Sequence, residues 1–228
     1  MSAKTTSKKP TRRSKPKSKQ HVVITAGPTR EYIDPVRFLS NESSGRMGFA
    51  LARRAAELGH QVTLVAGPVH LETPPGVHRV DVMSARDMLK ATQQAFREAD
   101  ALFMAAAVAD WRPARRLSGK WRKKDEGGDE ASIALVKNPD ILATVARTKG
   151  SRTVVGFALE TADGIRRAKR KLERKGVDFI VLNDASALNA ARSSVTILSS
   201  DGTSRQLGIR PKDRVADALL ELLPEKRD

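Results

Sequence analysis

The 228-residue chain has no cysteine. That excludes a disulfide framework, a thiolate metal site and a cysteine nucleophile, and it fits a reducing cytoplasm. Nor does any run approach the ~18 apolar residues of a membrane-spanning helix, and the N-terminus lacks the apolar stretch of a signal peptide. A cytoplasmic protein with no membrane partner is the expectation. Aromatic residues make up 4% of the chain, with Tyr32 the single tyrosine. Val36, not lysine, follows it by four residues, so a short-chain nicotinamide oxidoreductase lacks its proton donor. The four histidines, His21, His60, His70 and His78, have no zinc-ligand spacing, and neither G-x-x-x-x-G-K-[ST] nor G-x-S-x-G occurs.

What the chain has in excess is positive charge, a formal +16. Half of it sits in Met1 to Gln20, which carries eight Lys/Arg and no acid. With few large apolar side chains, this segment cannot offset the entropy of ordering, so residues 1–20 read as a disordered basic tail and 21–228 as one folded domain. Attraction to nucleic acid rests on this tail alone and is the lesser reading.

Beyond the tail, strand and helix signals alternate. Val22 to Ala26 reads as a strand, Met47 to Leu58 as a helix stopped by Gly59, and Val62 to Ala66 and His78 to Val82 as strands. Ser84 with Asp87 opens a helix to about Ala99, and Ala101 to Ala106 is an apolar run suited to a strand buried on both faces. Pro139 to Arg147, Thr153 to Phe157, Ala162 to Lys175 and Val177 to Leu182 continue as helix, strand, helix and strand. Ser194 to Ser199 and Ser204 to Ile209 form a small C-terminal β-hairpin around Asp201-Gly202, and a last helix runs from about Lys212 to Leu223. The fold class is α/β: a doubly wound, mostly parallel, Rossmann-like sheet. Ligands in such sheets bind beyond the carboxyl ends of the strands, which selects the loops after Ala26, Ala66, Ala106 and Phe157.

The first of these loops opens with Gly27 and leads to Ser43, Ser44, Gly45, Arg46, Met47 and Gly48 at a helix start. Unpaired N–H groups and a positive dipole end there suit a phosphate. Asp110, after the small residues Ala105 to Ala107, either caps its loop, accepts a hydrogen bond from a sugar or base, or helps to hold a metal. Arg112 to Lys124, with seven Lys/Arg and no acid, looks like a mobile flap rather than a packed element. Its Lys120, Lys123 and Lys124 can follow charge on a polyphosphate or simply face solvent. Lys171 and Lys175 lie one helical turn apart and can share an anion, or sit on an exposed face.

With these residues in view, the chain resembles the phosphopantothenoylcysteine synthetase family from about His21 to Leu223. The resemblance rests on Ile24 to Glu31, Asp34-Pro35-Val36-Arg37, Ser40 to Gly48, Ala106 to Asp110, Val136-Lys137-Asn138-Pro139-Asp140-Ile141 and Val155 to Thr161, in that order. It implies a ligase that joins 4′-phosphopantothenate to L-cysteine with CTP in coenzyme A biosynthesis, through an acyl-cytidylate, giving CMP and pyrophosphate. It further implies a homodimer and Mg²⁺ as the phosphate counter-ion, with metal ligands unassigned. The flavin-dependent decarboxylase usually fused in bacteria is absent before His21, so the resemblance implies a stand-alone ligase with no FMN.

By position, Asn41 matches the family's active-site asparagine and Lys120 the first lysine of its flap. Met104, Ala105, Ala106, Asp110, Pro139, Asp140, Ile141, Leu142, Phe157, Lys171 and Lys175 match nucleotide-binding positions. Two departures keep the charge but change its shape: Arg46 stands where the family has lysine, and Arg122 interrupts the flap lysines, with Lys123 the alternative to Lys120. Some relatives use ATP, which leaves it as the alternative nucleotide.

Overall fold

The run at 22–26 forms β1 (His21–Ala26), in which every residue from Val22 on is buried. A central parallel strand is covered on both faces, which is why this run shows no apolar and polar alternation. The computed structural model describes residues 19–122, 130–160, 163–184 and 192–224; the tail at 1–18 and the flap lysines Lys123 and Lys124 lie outside the described residues. Gln20, read as tail, is buried, and its N–H donates to His60 Nδ1 at 3.2 Å.

Parallel neighbours of β1 are β4 (Gln61–Ala66) and β6 (Ala101–Met104), with Val22 opposite both Val62 and Ala101. Outward lie β5 (Val77–Asp81) on one side and β9 (Thr153–Glu160), β10 (Phe179–Asp184), β11 (Arg192–Ser199) and β12 (Ser204–Pro211) on the other. The eight-stranded order is β12-β11-β10-β9-β6-β1-β4-β5. Pairings from β10 through β5 are parallel, and β11 and β12 add an antiparallel hairpin. Strand order reverses between β1 and β6, the position at which such sheets open a ligand crevice.

Helices cover both faces. α1 (Arg46–Glu57) and α5 (Lys212–Leu220) pack over Val22, Ile24, Leu64 and Phe103. On the opposite face, α2 (Ala85–Phe96), α3 (Ile141–Ala146) and α4 (Gly164–Lys175) bury Val23, Val65, Leu102 and Val154. Each large aliphatic or aromatic side chain so buried contributes about 1.5–3 kcal/mol. Two glycines set how closely these layers approach. A Cβ on Gly48 would lie 2.5 Å from Ala26 Cβ, so glycine brings the first turn of α1 onto the end of β1. A Cβ on Gly156 would lie 2.7 Å from Leu142 Cδ2 and 2.8 Å from Ile180 Cδ1, so glycine in β9 lets α3 settle against the sheet.

Several expectations are corrected. The strand read as Ala101 to Ala106 ends at Met104, because the next amides leave the ladder: Ala106 N–H donates to the Thr25 hydroxyl of β1 and Ala107 N–H to Gly27 O in the loop after it. The strand read as Thr153 to Phe157 is longer: β9 runs on to Glu160, paired with β10 as far as Asp184, so the loop does not begin after Phe157. The segment read as a flap begins inside a packed ribbon, since β7 (Trp111–Pro113) pairs with β8 (Leu135–Lys137) and Pro113 is buried. A second ribbon, β2 (Arg30–Tyr32) with β3 (Phe38–Ser40), was also unforeseen.

Candidate active site

Two loops at the switch point are fastened to each other. Thr25 and Thr29 are fully buried; their hydroxyls accept the N–H of Ala106 at 3.2 Å and of Ala109 at 3.0 Å. Ala107 N–H donates to Gly27 O at 2.9 Å, and Thr29 N–H donates to Ala107 O at 3.3 Å. A buried amide left without a partner costs about 1–3 kcal/mol, so these bonds hold Ala105 to Ala109 in one shape. Asn138 extends the fastening: its N–H donates to Asp110 O and its Nδ2 to Ala109 O, both at 2.8 Å. The turn at Pro139 and Asp140 is thereby set beside the same loop. Asp140 Oδ1 then accepts Ala143 N–H at 3.0 Å and starts α3.

The helix starts differ in a way that bears on binding. At α2, Ser84 and Asp87 form a capping box, and buried Glu31 accepts Ala85 N–H at 2.8 Å. At α1, the N-cap is Gly45 with φ +72°, no side chain caps the helix, and no acid lies in the first turn. Ser43 Oγ accepts the Gly45 N–H at 3.4 Å. The positive end of α1 is thus left for an anion, where that of α2 is closed by the protein itself.

That end opens on a cavity of about 1010 Å³ at the carboxyl edge of the sheet. Asn41, Ser43, Ser44 and Gly45 line it from one side, and Met104, Ala105, Ala106 and Asp110 from the loop after β6. Pro139, Asp140, Ile141 and Leu142 contribute the α3 turn, with Phe157, Lys171 and Lys175 beyond it. Gly27, Gly48 and Lys120 do not line it. Gly27 instead permits a φ of +75° where its Cβ would meet Val69 Cγ1 at 2.9 Å, and Lys120 is exposed. The loop after Ala66 also lies outside the lining. A Cβ on its Gly67 would sit 1.7 Å from Pro28 O, so this loop serves to pack against the first one.

Asn41 is oriented by a bond from its Nδ2 to Val108 O at 3.0 Å. The two lysines of α4 do not converge on one point: Lys171 Nζ donates to Phe157 O at 2.7 Å, and Lys175 forms an ion pair with Asp140. Burial lowers the pKa of Lys175, opposed by the charge of Asp110. Cationic side chains outnumber the three carboxylates of the lining, Glu42, Asp110 and Asp140. Lys137, Arg147, Arg174 and Lys212 were not foreseen there. Among the described residues no group of three or more His, Asp or Glu is arranged to hold a metal ion.

The family model for the DNA/pantothenate metabolism flavoprotein C-terminal domain matches residues 17–226. The chain belongs to this family. It is 44% identical over 212 residues to the coenzyme A biosynthesis bifunctional protein CoaBC of Vibrio cholerae, covering 91% of this chain and 53% of that protein. With the CoaBC of Escherichia coli it shares 44% identity over 213 residues, 91% of this chain and 52% of the relative. The chain thus spans about half the length of the curated relatives it matches. Among solved structures, the crystal structure of a C-terminal domain of CoaBC superposes with a TM-score of 0.76 at 39% identity, covering 89% of this chain and 92% of that one. This flavoprotein C-terminal domain accordingly has the Rossmann-like sheet expected of it. Among its described residues no helix is long and apolar enough to cross a membrane.

Proposed function

We propose that the chain is a phosphopantothenate–cysteine ligase of coenzyme A biosynthesis that uses CTP and acts in the cytoplasm. The observation that carries this reading is the meeting, in one cavity, of an uncapped helix start, an oriented asparagine and a basic wall. A triphosphate suits the wall and the α1 amides, while the Ala105 to Ala107 backbone and Asp110 suit the sugar. The Pro139 to Leu142 turn, largely through backbone, suits the base.

In the first step a carboxylate oxygen of 4′-phosphopantothenate attacks the α-phosphorus of CTP. The bond to the β-phosphate oxygen breaks, and pyrophosphate leaves with the electron pair. In the second, the cysteine amine attacks the acyl carbon, CMP leaves, and the amine gives up a proton. One N–H of the Asn41 amide is taken by Val108 O, so the other remains to donate to the acyl oxygen as charge develops on it. The lining has too few free carboxylates for an all-protein Mg²⁺ cage. Mg²⁺ would therefore arrive on the triphosphate, where it neutralises phosphate charge. Lys120 is read as the flap residue that meets this triphosphate.

A homodimer is supported by apolar side chains left exposed on the two ribbons, among them Phe38, Trp111, Leu135 and Val136. The reading is tested by pyrophosphate release from 4′-phosphopantothenate, Mg²⁺ and CTP or ATP, with and without L-cysteine. Turnover dependent on both acid and amine, and faster with CTP, is the expected result. Silence with both nucleotides from a folded sample refutes the ligase, and equal rates refute the preference for CTP.

A further inference from the structure

Lys212 and Ser193 stand in the cavity wall with Arg46 and Ser44, although no sequence motif drew attention to either. Lys212 Nζ donates to Ser193 Oγ at 3.0 Å, and Ser193 is 3% exposed, so the lysine is seated on a buried hydroxyl rather than waving in solvent. Lys212 is the first residue of α5, as Arg46 is of α1. A cation at that position opposes the helix dipole, and here the same local conflict occurs twice on one cavity.

The two helices are tied together through Arg53 with Asp213 and through Arg54 with Asp217 at 2.6 Å. The acid next to Lys212 is thereby engaged with α1. Among the described residues, no carboxylate lies within ion-pair distance of Lys212 Nζ. Burial lowers its pKa, and the charge of Arg46 lowers it further. Lys212 is therefore a partly desolvated cation beside the like charge of the exposed Arg46, and a polyanion entering the cavity offsets the cost of burying it.

We propose that Lys212, seated on Ser193 and acting with Arg46, binds the distal phosphates of the nucleotide and the pyrophosphate released from them. This rests on the reading that the nucleotide occupies this cavity, and it adds a binding role for α5. When the bond between the α-phosphorus and the bridging oxygen breaks, the electron pair and its charge go to the pyrophosphate. The Lys212 ammonium stabilises that charge without taking part in proton transfer. A single phosphate monoester is a poorer match, because two cations and the α1 amides together fit an anion with several ionised oxygens.

The test is equilibrium binding of inorganic pyrophosphate, CMP and 4′-phosphopantothenate, each alone, to the full chain by calorimetry. Lys212→Met should weaken pyrophosphate about tenfold, the usual effect of losing a charge-assisted bond. CMP and 4′-phosphopantothenate should be unaffected, and Lys212→Arg should retain most of the pyrophosphate affinity. If Lys212→Met unfolds, Ser193→Ala replaces it, with a smaller loss confined to pyrophosphate. Unchanged pyrophosphate affinity in a folded variant overturns the proposal, as does a loss shared equally by CMP or 4′-phosphopantothenate. Because pyrophosphate binding needs no turnover, a chain that failed as a ligase would still give a clear answer here.

Discussion

The carboxylate of Asp34 accepts the backbone N–H of Trp121 at 3.1 Å, across 87 positions of sequence. The same carboxylate accepts the N–H groups of Val36 and Arg37, each at 2.7 Å, and is itself fully buried. Arg37 returns the contact by donating from Nη2 to Trp121 O at 2.6 Å. Both backbone groups of Trp121 are thus held by the turn between β2 and β3. The residue before it is Lys120, so the flap lysine stands one position from a fixed point rather than at the tip of a free loop.

This anchor has a pH dependence with a defined sign. Burial pushes the Asp34 carboxyl up, but the N–H donors of Val36, Arg37 and Trp121 and the charge of Arg37 outweigh it, leaving the pKa below the ordinary 3.8. A carboxylate depressed on folding contributes its stability above the unfolded pKa and loses it as pH falls through the folded one. Wild type should therefore lose stability more steeply than Asp34→Asn below about pH 4, with a constant gap between them at higher pH. Urea unfolding across pH 2 to 7 reads both slopes; parallel acid limbs would show that Asp34 does not titrate as described.

Glycine is required at 67 for reasons of space and not at 119. The Cβ of Gly67→Ala would fall 1.7 Å from a backbone oxygen, Pro28 O, which cannot rotate away, whereas nothing lies within 4 Å of a Cβ at Gly119. Gly67→Ala should cost about 3 kcal/mol, at the upper end for overpacking. Gly119→Ala should stay within ~0.5 kcal/mol of wild type. Thermal unfolding of the pair checks the contrast, and comparable melting temperatures would mean the two loops are free to separate.

The parts of this fold that were legible in sequence are those specified by neighbours in the chain. The Ser84 and Asp87 capping box, the Asp201-Gly202 hairpin and the alternation of strands with helices are local signals, and the structure contains each. β2, β3, β7 and β8 are three residues each, too short for any period, and exist through cross-strand pairing. Phe157 looked like a strand end because Ala158 to Glu160 have no apolar alternation of their own; pairing with β10 carries the strand onward. At the site, the Ser43 to Gly48 loop and the turn after Asn138 were readable as motifs. Lys212 was not, since its interest lies in Ser193 and Arg46, which only the fold brings to it.

Thr29 offers a test of how the alanine loop is kept in shape. Its hydroxyl accepts Ala109 N–H at 3.0 Å from a fully buried position. Thr29→Val keeps the volume and removes the acceptor, so about 1–3 kcal/mol of stability should be lost. Under the ligase reading, KM for the nucleotide should rise as Ala105 to Ala107 drift. A variant with wild-type stability would show that the amide finds another acceptor.

Asn41 separates binding from chemistry. Its Nδ2 is fixed to Val108 O, at the loop that also presents Ala105 and Ala106, and its remaining N–H points the amide's donor capacity at the reacting acyl group in the reading above. Loss of one such donor typically lowers turnover by about 10²–10³-fold, because the bond strengthens only as charge develops. Asn41→Ala should therefore depress cysteine-dependent product formation by about a hundredfold while leaving nucleotide affinity nearly intact, since the α1 amides and the α3 turn remain in place. Equilibrium binding of CTP beside steady-state turnover measures both quantities on one preparation. Unchanged turnover removes Asn41 from the mechanism; a parallel collapse of CTP affinity assigns it to ground-state binding instead.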